Sequence, residues 1–195
     1  MEKDKNIAVY QPMIAEIKQI ITAGRQHVYQ AANEAMVLTY WHIGKRIVEQ
    51  EQSGKKRAEY GKQLVHILAD ELTKEFGRGF SERNLRNFRK FYDLFPDKEI
   101  WQTCLPYLTW SHICCLLRVG DETARLWYMK EAVQENWSVR ALDRNIGTQY
   151  YYRLLQSPQK ETVISEMQRK TNKFQRSKFE LLKSPMIAEF LGFKN

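Results

Sequence analysis

Apolar positions recur with helical spacing along most of the chain, and the clearest run is 60–95, YGKQLVHILADELTKEFGRGFSERNLRNFRKFYDLF. Leu64, Leu68, Leu72 and Phe76 fall every four residues, which predicts one apolar stripe on a helix. Gly77 follows the last of them, where a left-handed residue closes a helix, and Gly79 lets the chain turn again. Ser81 stands where an N-cap belongs, with Glu82 in the next first turn facing the positive end of the dipole. In the second helix Leu85, Phe88, Tyr92 and Phe95 form the inner face, and Arg83, Arg86, Asn87 and Lys90 the opposite one. The pattern predicts a helix-turn-helix over 60–95.

Upstream, Ile17, Ile21, Gly24, Val28, Ala31 and Ala35 keep spacings of three and four, and the stripe continues through Val37, Trp41, Gly44 and Val48. Residues 11–50 therefore read as a long helix of about 60 Å, with Pro12 in its first turn. A stripe that long predicts a homodimer paired through 11–50, or a bend at Gly24 or Asn33. Gly44, in the stripe beside Trp41, predicts a close helix crossing. Residues 51–58 read as a polar loop.

Downstream, Pro96 ends the second helix of the hairpin, and 97–108 form a mixed connection with room for one short strand. A wing, if the domain has one, belongs there. Thr109 or Ser111 caps WSHICCLLRV, Gly120 ends it, and Asp121 caps ETARLWYMKEAVQEN. Trp137-Ser138 then opens VRALDRNI. Residues 80–85 and 137–142 share aromatic, Ser, any, Arg, any, Leu, so 121–146 is a candidate second copy of the unit. An ordinary hydrophobic staple and cap has the same signature. This copy offers Arg140 and Arg144 on one outer face. Residues 157–184 turn polar and basic, as a linker, an arm or a basic helix, and 185–193, PMIAEFLGF, are apolar again.

Composition narrows the class. Hydrophobic residues at 43% and aromatics at 12% exclude a disordered chain, and only 9 Gly and 5 Pro argue against an all-β one. The expected fold is all-α. The start, MEKDKNIAVY, has no apolar leader core, and no apolar run reaches membrane-spanning length, so a cytoplasmic protein is expected. Three cysteines cannot build a disulfide framework and read as buried thiols.

Catalytic chemistry is not legible. His27, His42, His66 and His112 are scattered, and His112 and Cys114 stand two apart on a helix, the wrong geometry for one metal. The GxG at 77–79 lacks the third glycine and the preceding strand of a phosphate loop. Glu16-Ile17-Lys18 has no partner Asp to help hold Mg²⁺. No nucleophile elbow is present. No active site, metal or cofactor is expected in this chain.

The charge is more informative. A net +8 suits a polyanionic partner. Arg and Lys neutralise phosphates, Arg can fork onto guanine, and Asn can pair with adenine. Recognition helices carry such residues in their N-terminal part, where Arg83, Arg86 and Asn87 lie. A solvated charged face on an ordinary hairpin is the alternative.

Tyr40-Trp41-His42-Ile43-Gly44-Lys45-Arg46-Ile47, Tyr60-Gly61, Phe76-Gly77-Arg78-Gly79-Phe80-Ser81 with Asn84-Leu85, Phe91-Tyr92, Leu108-Thr109-Trp110-Ser111-His112 and Trp137-Ser138-Val139-Arg140-Ala141-Leu142 recur here in one order. Together they resemble the N-terminal domain of the YhcG-like family of bacterial PD-(D/E)XK nuclease proteins. The likeness covers roughly 12–156. It implies a helical module over 11–156 that precedes a nuclease domain, with 185–195 similar to the lead-in to that domain. The chain itself lacks the nuclease's catalytic residues. The implied role is a non-catalytic DNA-targeting module with duplex DNA as partner, and this sequence's own basic and amide positions, Arg78, Arg83, Arg86, Asn87, Lys90, Arg140 and Arg144, are the candidate contacts. A protein–protein or dimerisation module that docks a nuclease is the alternative.

Overall fold

The computed structural model describes residues 2–53, 57–174 and 185–192. Helices α1 (Glu2–Ser53) and α2 (Arg57–Phe76) lead through a 3-10 turn (Arg78–Phe80) into α3 (Glu82–Leu94). Helices α4 (Lys98–Gln102), α5 (Trp110–Leu116), α6 (Glu122–Gln134), α7 (Val139–Gly147), α8 (Tyr150–Gln156) and α9 (Lys160–Thr171) follow. A second 3-10 turn (Asn172–Phe174) and α10 (Pro185–Phe190) complete the order. The fold is all-α, and among the described residues there is no strand.

The connection 97–108 is therefore not a wing. Asp97 caps α4 by accepting from the Glu99 N–H at 2.9 Å. That short helix buries Trp101, whose indole donates to the Phe95 carbonyl at 3.2 Å. Trp41 donates to the same carbonyl at 2.8 Å, so the end of α3 is held from two sides.

Helix α1 begins earlier than the stripe predicts, and Pro12 lies inside it rather than in its first turn. The preceding Glu, Lys and Ala residues are good helix formers and offer no stop. Neither Gly24 nor Asn33 interrupts the helix. Asn33 is instead buried, and its amide donates to the carbonyls of Leu108 at 2.8 Å and Leu105 at 3.4 Å. Beyond Asn33, Met36, Val37, Tyr40, Trp41, Ile47 and Val48 enter the core. They meet Leu85, Phe88 and Phe91 of α3, with Tyr40 stacked on Phe88 at 4.1 Å. Gly44 marks the crossing: a Cβ there would stand 2.0 Å from the Phe88 carbonyl oxygen. Before Asn33, no residue from 10 to 32 is buried.

The α2 stripe is displaced from its predicted face. Among the described side chains of α2, Val65 and Ala69 are buried, Leu64, Leu68 and Leu72 are half-buried, and Phe76 is 49% exposed. A repeat of four advances 400° at 3.6 residues per turn, so it drifts about 40° per step off the core-facing line. The same ambiguity affects α3, where Phe91 is buried and Tyr92 only half-buried, edge-on to Trp41.

The polar stretch 51–58 is helical to Ser53 and again from Arg57, with 54–56 outside the described residues. Of 157–184, the first part forms α9 and a 3-10 turn, and 175–184 lie outside the described residues. Ile187 of α10 is buried, and Phe190 meets the Tyr40 ring edge-on.

Candidate nucleic-acid interface

Gly77 has φ +92 and ψ −175, a conformation that glycine alone adopts readily. It ends α2 and starts the 3-10 turn. The turn is pinned by Asn84, whose amide donates to the Gly79 carbonyl at 3.0 Å. Ser81 occupies the N-cap position of α3 but makes no side-chain capping bond. Residues 83, 87 and 90 then recur at intervals of four and three, so they share a face of α3, set off from the buried Leu85, Phe88 and Phe91.

Helix α5 is placed beside that face by its own cap. The Thr109 side chain and His112 close a capping box at its start. The Thr109 N–H donates to His112 Nδ1 at 3.1 Å, leaving Nε2 to carry the proton toward the Trp137 carbonyl, 3.1 Å away. The buried His112 thus ties the start of α5 to the turn between α6 and α7. Ser138 caps α7, accepting from the Ala141 N–H at 3.2 Å. Arg125 is buried at the other end of the assembly. It donates to the carbonyls of Val119, Gly120 and Leu94 and lies 5.3 Å from the Phe95 ring. A cation there faces the negative ends of α3 and α5.

These elements enclose an open groove of about 980 Å³ lined from α3, α5, α7, α10 and the turn after α2. Arg78, Arg83, Lys90, Arg118 and Arg140 line it, against only Asp143 and Glu189. Arg118 is paired with Asp143. The Glu189 carboxylate accepts from the Gly79 N–H at 2.8 Å. Arg78, Arg83 and Lys90 have no carboxylate partner among the described residues, and the Arg140 guanidinium lies 4.2 Å from the Phe174 ring centre. The groove is therefore cationic by excess, with amides from Asn84 and Asn87 in its lining.

Five of the seven residues singled out from the sequence meet here: Arg78, Arg83, Asn87, Lys90 and Arg140. Arg86 does not. It is ion-paired with Glu82 one turn back and lies off the groove. Arg144 is half-buried and also outside it. Arg118, Asn84, Ser111, Cys114 and Glu189 were not legible as partners of this site. Only Arg118 carried a signal, one turn beyond Cys114 at the end of a predicted helix.

Cys114 faces Asn87, 4.0 Å from its amide nitrogen. Burial, and next its neighbour Cys115, push its thiol up to about 12 despite Arg83 and Arg118 nearby, so it is a poor nucleophile. Among the described residues no group of three or more His, Cys, Asp or Glu side chains could hold a metal ion. Nor is any helix among them long and apolar enough to cross a membrane.

Residues 16–153 match the family model for the DUF1016 N-terminal domain. The chain is similar to a protein of Escherichia coli (strain K12) named "Putative nuclease YhcG", at 33% identity over 220 aligned positions. That alignment takes in 96% of this chain and 57% of the relative, so the chain spans little more than half the relative's length. No solved structure matches it.

Proposed function

The chain belongs to the DUF1016 N-terminal domain family, and on that premise we propose that its basic groove binds the backbone of a nucleic acid. It acts as the targeting module of a nuclease-type protein and does not cut by itself. The observation that carries this reading is the convergence of Arg78, Arg83, Lys90 and Arg140 on one groove, the first three with no carboxylate partner among the described residues. Cations left without internal partners are what phosphate neutralisation requires. In this reading α2, the glycine turn and α3 form a helix-turn-helix. Asn87 and Arg83 are candidates for base edges, and Lys90 and Arg140 for phosphates. Duplex DNA is the expected ligand, and the name of the Escherichia coli relative favours a nucleic-acid context.

A second reading has its own observation. Tyr10, Met13, Ile17, Ile20, Ile21 and Val28 are 46–70% exposed along α1. An apolar stripe on a helix with no covering element among the described residues favours association with a second copy. The two readings are compatible, since a dimer would present two grooves.

The test is fluorescence anisotropy with random-sequence duplex DNA, single-stranded DNA and RNA of equal length. The proposal expects micromolar or tighter binding, falling steeply with salt. Affinity independent of salt, or none for any of the three, overturns it.

A further inference from the structure

The groove has one feature that neither cations nor amides explain. A carboxylate of its own chain sits in it. Glu189 belongs to α10, which reaches the groove from more than a hundred residues away in sequence and is held there by Ile187 in the core and Phe190 against Tyr40. Its oxygen accepts from the Gly79 backbone N–H at 2.8 Å.

The turn is shaped around that oxygen. A Cβ on Gly77 would come within 2.7 Å of Glu189 Oε1, and a Cβ on Gly79 within 3.6 Å of its carboxylate. Gly77 thus leaves room for an anion at the backbone, while a Cβ on Gly79 would make only ordinary contact with the carboxylate. Arg78 and Arg83 line the same groove on either side of Gly79 in sequence. A backbone N–H in a glycine turn beside two arginines is the arrangement that takes a phosphate oxygen. The Glu189 carboxylate also bears on Tyr40. Together with burial, the larger cause, it pushes the buried phenol well above its ordinary value.

We propose that the Gly77–Gly79 turn is the phosphate-binding point of the groove, and that Glu189 occupies it as an internal stand-in for a nucleic-acid phosphate. Nucleic acid and α10 then compete for one N–H. Binding displaces Glu189, and apparent affinity is reduced by the fraction of molecules in which α10 is docked. The assignment rests on the groove being a nucleic-acid site. It adds the atom at which phosphate enters and the segment that must leave.

The experiment uses the full chain as wild type, Glu189→Gln, Glu189→Ala and Gly79→Ala, with Arg83→Ala as the groove control. Anisotropy is read with oligonucleotides carrying or lacking a 5′-phosphate, and the Gly79 amide is followed by ¹⁵N NMR with the same ligands and with inorganic phosphate. Glu189→Ala should bind about fivefold tighter or more, the lower end of ordinary coupling between two ligands, and Glu189→Gln should gain less, because its amide oxygen still accepts from the Gly79 N–H. The Gly79 amide should shift on adding oligonucleotide. Gly79→Ala should melt like wild type yet bind more weakly, because its Cβ clears a planar carboxylate but crowds a tetrahedral phosphate. An equal response to both oligonucleotides supports a backbone phosphate, and a preference for the 5′-phosphorylated one supports a terminal phosphate. A Gly79 shift with inorganic phosphate but none with either oligonucleotide overturns the proposal. So does unchanged or weaker binding by Glu189→Ala while Arg83→Ala still loses affinity, and in that case the groove reading survives alone. No binding by any variant removes the groove reading itself.

Discussion

Gly44→Ala is a severe test of the packing that holds the groove together. The added Cβ would stand 2.0 Å from the Phe88 carbonyl oxygen, 2.6 Å from its carbon and 3.2 Å from the Arg89 nitrogen. Ordinary contact begins near 3.4 Å, so α1 and α3 would have to separate by roughly 1.4 Å. All three obstructing atoms are backbone, so no rotamer change can relieve the clash. Tyr40, Trp41, Phe88 and Phe91 pack around this crossing, and a gap of 0.5–1 Å already forfeits about a quarter to a half of the dispersion well. Overpacking alone costs about 1–3 kcal/mol. Alanine returns up to about 1 kcal/mol in helix propensity. Adding the lost contacts, we expect a net loss of about 3 kcal/mol or more, a Tm fall of roughly 6–12 °C in a chain of this size. Gly24→Ala is the control, because nothing lies within 4 Å of its Cβ, and it should stabilise by about 0.5–1 kcal/mol. The assay is urea unfolding followed by tryptophan fluorescence, with m compared across the three proteins. A Gly44→Ala protein within about 1 kcal/mol of wild type at equal m would refute the crossing, as would equal damage from Gly24→Ala.

Three further outcomes are expected. Light scattering at high micromolar concentration should give a dimer, and Ile17→Glu with Ile20→Glu should return it to a monomer; a wild-type monomer removes the association reading. His112→Ala should cost on the order of 2–4 kcal/mol by thermal melting, because it deletes a capping partner and leaves the buried Trp137 carbonyl without its donor. Cys114 should alkylate slowly at pH 8, since a thiol pushed up to about 12 stays protonated there; labelling as fast as a free thiol would contradict the buried environment.

Much of the fold was legible because helix periodicity is local. The long α1, the Gly44 crossing, the caps at Thr109, Asp121 and Ser138, and the break at Gly77 all follow from spacings within a few turns, whereas α5 ends at Leu116, earlier than the expected stop at Gly120. The failures have physical causes. Helix α4 was hidden because a five-residue helix has no period to show. Helix α8 was hidden because its three tyrosines make no stripe and follow directly on a left-handed Gln149. The groove was half legible. The face shared by Arg83, Asn87 and Lys90 can be counted along one helix, but Arg118, Glu189 and Cys114 join it only through contacts between distant segments. Arg86 looked equivalent to Arg83 for the opposite reason: spacing cannot tell a free arginine from one already paired with Glu82.

That contrast gives the most direct test of the groove. Arg83 and Arg86 lie three residues apart on one helix, equal in charge, yet only Arg83 lines the groove. The measurement is the slope of log affinity against log salt for wild type, Arg83→Ala and Arg86→Ala on one random duplex. Loss of a phosphate contact lowers the slope by about one. We expect Arg83→Ala to weaken binding and lower the slope, and Arg86→Ala to leave both near wild type, with the two variants melting alike. Equal losses from both variants would contradict a defined groove, and an unchanged Arg83→Ala would contradict its role in binding.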